Sequence, residues 1–163
     1  MLTAVYASDA DYDFIRKEII LGARKKHFAF SVKDPEDMRF VEENIRSAIH
    51  HHCFTSGLRV QPILFMKKQR RVGVVMMSEV SPGKGGNEIH MVFVGHKHRG
   101  KGYGSQMIDL ILAERQDVAV FARCTVASQC MYEMLERRGF EYQYTMKDGF
   151  RVLLRPRQVS LVG

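Results

Sequence analysis

At 163 residues the chain has the length of one domain, residues 1–163, with room for a proper core. Its composition, 45% hydrophobic and 26% charged, is that of an ordinary globular protein. No apolar run approaches the roughly 18 residues that a membrane-spanning helix needs. The formal net charge of +7 is unevenly spread: residues 1–50 carry eight Lys/Arg against nine Asp/Glu, and residues 51–163 carry seventeen against nine. Such basicity suits nucleic acid or a multiply phosphorylated cofactor, and no nucleic-acid-binding motif or aromatic platform accompanies it. The opening MLTAVYASDADYD has neither a basic n-region nor an apolar h-region, so no secretory signal is read and the cytoplasm is expected. Cys53, Cys124 and Cys130 form an odd set without C-x-x-C spacing, which points to idle thiols and not to a disulfide framework or a zinc site.

In chain order, residues 2–7 read as a first strand. Asp9 or Asp11 then caps a helix with Phe14, Ile15, Ile19 and Leu21 as its apolar positions and Gly22 as its stop. Asp34-Pro35-Glu36 opens a second helix with Phe40, Val41, Ile45 and Ile49 on one side, its end marked by Gly57. The run His50-His51-His52-Cys53 falls at this helix end, where adjacent side chains point in different directions and cannot all ligate one ion; no metal is expected. Residues 60–66 and 72–80 are strands joined by a charged turn over 67–71, and residues 81–86, Ser-Pro-Gly-Lys-Gly-Gly, are a loop. After a fourth strand and third helix, residues 118–122 read as a strand and 127–138 as a fourth helix closed by Gly139. Residues 140–146 and 150–154 flank the hairpin signal Lys147-Asp148-Gly149. The order βααβββαβαββ predicts an α/β (α+β) fold, a mixed central sheet of about seven strands with about four helices.

The segment 88–114 carries the strongest signal. Met91 to Val94 form a short apolar strand, and Arg99-Gly100-Lys101-Gly102-Tyr103-Gly104 follows with three glycines at alternate positions beside two cations. Met107, Ile108, Leu110, Ile111 and Leu112 then mark a buried helix face. A helix start preceded by glycines presents unpaired N–H groups at the positive end of the helix dipole, a seat for a phosphate group. The spacing fits neither a Walker A loop nor a Rossmann loop.

With its element order, the chain resembles the GNAT superfamily of acetyl-CoA-dependent N-acetyltransferases. The family's Q/R-x-x-G-x-G/A signature is met by Arg99, Gly102 and Gly104, and the family's Gly-Phe pair by Gly139-Phe140. The resemblance implies acetyl-CoA as acyl donor, with its pyrophosphate held by Arg99, Gly100, Lys101, Gly102, Tyr103, Gly104 and Ser105. It implies splayed fourth and fifth strands, the pantetheine arm pairing with backbone at Val92, Phe93 and Val94, and amides there polarising the thioester carbonyl. An alkyl amine is almost wholly protonated at neutral pH, so a base must take its proton before the nitrogen attacks. The histone-acetyltransferase branch places a glutamate fourteen residues before the loop glycine that Gly102 matches, which makes Glu88 the candidate. Other branches use strand histidines, which makes His90 the alternative on the same side of the strand. A family tyrosine that protonates the leaving thiolate maps to Leu135 counted back from Gly139, and near Tyr132 counted forward from the fifth strand. Ser128 matches a polar position that touches the pantetheine arm, and reads equally as a helix N-cap.

The acceptor is a primary amine whose identity the sequence leaves open: a small amine, an amino acid, or a protein or peptide amine. The net charge disfavours polyamines. Charged tRNA as a large anionic acceptor and a non-catalytic acyl-CoA sensor are the alternative readings. Homodimerisation through the last strands, common in the family, stays open.

Overall fold

Val72 to Ser78 are buried without interruption, so the strand that contains them needs cover on both faces. The computed structural model, which describes residues 1–79 and 86–158, supplies it. Seven strands, β1 (Thr3–Tyr6), β2 (Val60–Lys67), β3 (Arg70–Glu79), β4 (Asn87–Val94), β5 (Val120–Cys124), β6 (Glu141–Thr145) and β7 (Arg151–Arg155), form one sheet in the order β1-β2-β3-β4-β5-β7-β6. Every pairing is antiparallel except β4 with β5. Helices α1 (Tyr12–Arg24) and α2 (Pro35–His51) cover one face, where Ile15, Ile19, Ile45 and Ala48 meet Leu64, Val74, Met76 and Phe93. Helices α3 (Tyr103–Ala113) and α4 (Gln129–Glu136) cover the other, where Met107, Ile108, Ile111 and Leu135 meet Val75, Met77, Ile89 and Ala122. The expected order, strand count and helix count are all found.

Several boundaries differ for local reasons. α1 runs past Gly22 to Arg24, because Gly22 is not a stop: a Cβ there would meet the Phe28 ring at 2.5 Å, so glycine lets that ring fold down onto the helix. α2 is capped by His52, which takes the left-handed conformation (φ 50°) and sets its ring at a tilt 4.8 Å from that of Tyr6; Gly57 (φ 89°) belongs to a later turn. The fourth helix is shorter than expected, its first residues forming a 3-10 turn at Val126–Ser128. β5 lies two residues later than expected, where β7 pairs with it from Val120 to Cys124. Residues 81–85 of the glycine-rich loop and 159–163 of the tail lie outside the described residues. Among the described residues no helix is long and apolar enough to cross a membrane.

Two irregularities in β4 create the site. Against β3, Met76 faces Met91 and Met77 faces Ile89, so His90 is an extra residue, a β-bulge. Against β5, pairing stops at Ile89–Ala122, although β4 continues to Val94 and β5 to Cys124. Beyond Ile89 the two strands part.

Candidate active site

The loop between β4 and α3 begins with a 3-10 turn at His96–His98 and then takes two left-handed residues, Gly100 (φ 73°) and Gly102 (φ 79°). Only glycine adopts these angles without strain. A Cβ on either would point into open space. Among the described residues, the backbone N–H groups of residues 100–105 find no acceptor. The loop therefore fits a phosphorylated ligand, with bare donors at a helix start and no side chain in the way. Arg99 donates from Nε to the carbonyl of Val94 (3.1 Å), capping the end of β4. Lys67 Nζ donates to the Tyr103 hydroxyl (2.9 Å) and draws the tyrosine pKa below its usual value. Ser105 Oγ contacts Met134 Sδ (3.3 Å), and Lys101 is exposed outside the cavity wall.

The loop is anchored from the opposite face of the sheet. Glu18 of α1 is buried, and its carboxylate accepts from the backbone N–H of His96 (3.0 Å) and from His96 Nδ1 (2.6 Å). Glu18→Ala leaves that N–H without its acceptor, a loss of about 1–3 kcal/mol. A melting temperature several degrees lower and a raised Kd for coenzyme A by calorimetry are expected; an unchanged Kd would show that the loop holds its shape without this anchor.

The parting of β4 and β5 opens a cavity of about 1010 Å³ that reaches both faces of the sheet. On the α3 and α4 side its wall includes Gly100, Gly102, Tyr103, Gly104, Ser105, Ser128, Met131 and Met134; Val92, Phe93 and Val94 run along it. On the α1 and α2 side it includes Phe28, Phe30, Phe40, Phe54, His90 and Met91. His27 and Ser128 share a hydrogen bond (3.0 Å) across its mouth, and Ser128 Oγ also lies 3.0 Å from Thr125 Oγ1. Ser128 occupies the N-cap position of α4, yet its side chain makes no capping bond and faces the cavity.

The two candidate bases separate. His90 lines the cavity with its ring 4.9 Å from that of Phe54, and its Nδ1 is buried without a partner among the described residues. Burial pushes its pKa down; the Glu88 carboxylate pulls it up and Arg123 pushes it down again. The imidazole is thus neutral at pH 7 and able to accept a proton. Glu88 lies on the same face but outside the cavity wall, and it accepts from Arg123 Nε at 2.6 Å. Tyr132 is not brought to the cavity: it packs beside the α3 and α4 core with the Arg151 guanidinium 4.0 Å above its ring. Leu135, the other position in that count, lines the wall and has no proton to give. Cys124 also lines the wall, but burial pushes its thiol up to about 11, which leaves it protonated and a poor nucleophile.

The profile of the GNAT acetyltransferase family matches residues 26–140. The chain belongs to the GNAT acetyltransferase family. This GNAT enzyme superposes on a spermidine N-acetyltransferase from Vibrio cholerae in complex with CoA and spermine, with a TM-score of 0.77 at 14% identity, covering 96% of this chain and 95% of that one. It superposes on an acetyltransferase from Thermus thermophilus with a TM-score of 0.74, again at 14% identity, covering 96% and 97%. A ribosomal L7/L12 alpha-N-protein acetyltransferase in complex with coenzyme A gives 0.71 at 14% identity, covering 98% and 96%. Identities this low establish the shared fold. No curated protein matches this GNAT chain at the level of sequence.

Sequence reasoning missed the aromatic half of the acetyltransferase's cavity, the Glu18 anchor and the His27–Ser128 contact. The triplet Phe28-Ala29-Phe30, two aromatics in an otherwise basic and polar connection, was the readable trace of the first. In the His50 to Cys53 run, His50 pairs with Asp9, the His52 ring packs at a tilt beside Tyr6 and Cys53 lies near Ser47. Among the described residues no metal-binding group forms.

Proposed function

We propose that this GNAT enzyme transfers the acetyl group of acetyl-CoA to a primary amine by direct attack in a ternary complex, with His90 as the proton acceptor. The observation that carries this reading is the cavity through the parted strands, with the bare loop amides at one end and a neutral, unpartnered His90 at the other. The N–H groups of residues 100–105 would hold the pyrophosphate, and the unpaired edge of β4 at Val92, Phe93 and Val94 would receive the pantetheine arm. The amine arrives protonated, with a pKa of about 10.4. His90 takes that proton, directly or through a water; the nitrogen attacks the thioester carbon, a C–N bond forms and the C–S bond breaks. A thiol of pKa about 8.5 leaves without a dedicated acid, so solvent supplies its proton and Tyr132 is not required. Glu88 and Arg123 act on His90 through their charge. An acyl-enzyme on Cys124 is disfavoured by its protonated thiol.

Basic groups at the wall, Arg99, Arg123 and Arg137, account locally for part of the positive charge without a nucleic-acid partner. Three unpaired thiols suit a reducing compartment, and we place the reaction in the cytoplasm. The test is coenzyme A release from acetyl-CoA with a panel of amines, alongside calorimetry of coenzyme A binding. Turnover by the native chain that is lost in His90→Gln supports the reading. Tight coenzyme A binding with no turnover against any amine class would overturn it in favour of an acyl-CoA sensor.

A further inference from the structure

The α1 and α2 half of the cavity has a character that the family membership does not dictate. Besides Phe93 of the sheet, four phenylalanines line it from three different segments: Phe28 and Phe30 after α1, Phe40 on α2, and Phe54 before β2. The rings of Phe28 and Phe30 are nearly parallel (5°) with centroids 6.3 Å apart. Phe54 lies 4.9 Å from the His90 ring, so the aromatic surface continues up to the base. Phe40 is 62% exposed although it sits on the cavity wall. An exposed ring at a cavity mouth gains cover when a flat apolar group enters.

The charges at the wall point the same way. Arg99, Arg123 and Arg137 line it, and Asp148 is the one carboxylate among the described lining residues. Nearby carboxylates are already committed: Glu88 to Arg123, Glu18 to His96 and Glu42 to Arg16. A polyamine would have to place its further ammonium groups beside Arg123, already paired with Glu88, with Asp148 the one lining carboxylate among the described residues, which is unfavourable in a partly closed site.

We propose that the acceptor is a small primary amine carrying an aromatic ring, an arylalkylamine, with its ring among Phe28, Phe30, Phe40 and Phe54 and its nitrogen at His90. The inference rests on the acetyl-transfer reading for what happens at the nitrogen. The products are the N-acetyl amine and the free thiol of coenzyme A, the amine proton leaving through His90.

The chain contains no tryptophan, so tryptamine brings the only indole into the sample and its fluorescence reports its own burial. Tryptamine anisotropy, read with and without saturating coenzyme A, is expected to rise to a plateau as protein is added. Phenethylamine should compete at similar concentration, whereas spermidine or butylamine should need at least about tenfold more. Phe40→Ala removes an exposed ring and leaves the core intact; it should weaken tryptamine by about tenfold with no change in the Kd for coenzyme A. No anisotropy rise, or displacement by spermidine as readily as by phenethylamine, overturns the aromatic subsite. Tryptamine that binds but is not acetylated from acetyl-CoA supports the subsite and sinks the transfer reading. Preferential acetylation of spermidine does the reverse.

Discussion

Gly102→Val is expected to raise the Kd for coenzyme A by at least about 100-fold while leaving the protein folded. Gly102 has φ 79°, and a β-branched residue there carries a strain of about 1–2 kcal/mol or more. A Cβ would meet nothing within 4 Å, so the free protein suffers strain without a clash. The backbone relieves that strain by rotating the peptide planes of the loop, which turns the N–H groups of residues 102–105 away from their common focus. Each charge-assisted hydrogen bond to a phosphate contributes about 1.5–3 kcal/mol, and losing two accounts for a factor of 100 or more. The melting temperature should fall by less than about 8 °C, because about 2 kcal/mol corresponds to roughly 4–8 °C for a domain of this size. Calorimetry with coenzyme A measures the first effect and a thermal melt the second. Unchanged affinity would remove the phosphate seat from this loop.

His90→Gln is expected to lower kcat/KM by about 10²- to 10⁴-fold, the usual contribution of a positioned general base. The pH profile separates this from mere damage. Burial holds the His90 pKa below its ordinary 6.5, so the base is free at neutral pH and is lost only as pH falls through that lowered value. The native enzyme should thus show an acid limb below 6.5, absent from the variant. Glu88→Gln should cost less than about tenfold. It should also move the acid limb to still lower pH, because the Glu88 carboxylate is what pulls the His90 pKa up and the freed Arg123 pushes it down. A large loss in Glu88→Gln with an unaffected His90→Gln would reverse the two roles.

What could be read from the chain follows the range of the interactions involved. The loop was legible because its requirements are local: positive φ at Gly100 and Gly102 and a helix beginning at Tyr103 all lie within a few residues. Element order was legible for the same reason, since each strand and helix announces its own period. The different surroundings of Glu88 and His90 were not, because they are set by Arg123, which arrives from β5, and by Phe54, which arrives from the connection before β2. Tyr132 likewise has its surroundings set by Arg151 of β7. The aromatic wall needs α1, α2 and β4 to be assembled before its four rings share a space. Helix ends misread from glycine, at Gly22 and Gly57, show the same limit: Gly22 answers to Phe28 and not to its own helix.

The extra residue in β4 works as a frameshift written in the backbone. Ile89, Val92 and Val94 face α3 and α4, and His90, Met91 and Phe93 face α1 and α2. Unbroken alternation would have put Val92 and Phe93 on each other's faces. Deleting His90 would therefore restore regular pairing and leave Met91, Val92 and Phe93 on their present faces, so what the bulge adds is the imidazole itself, while point changes on either side of it alter one face alone. A lineage carrying this kink can change one face of the strand by substitution and keep the other, and can lose the extra residue without turning either face over, but it then loses the histidine that the kink inserts.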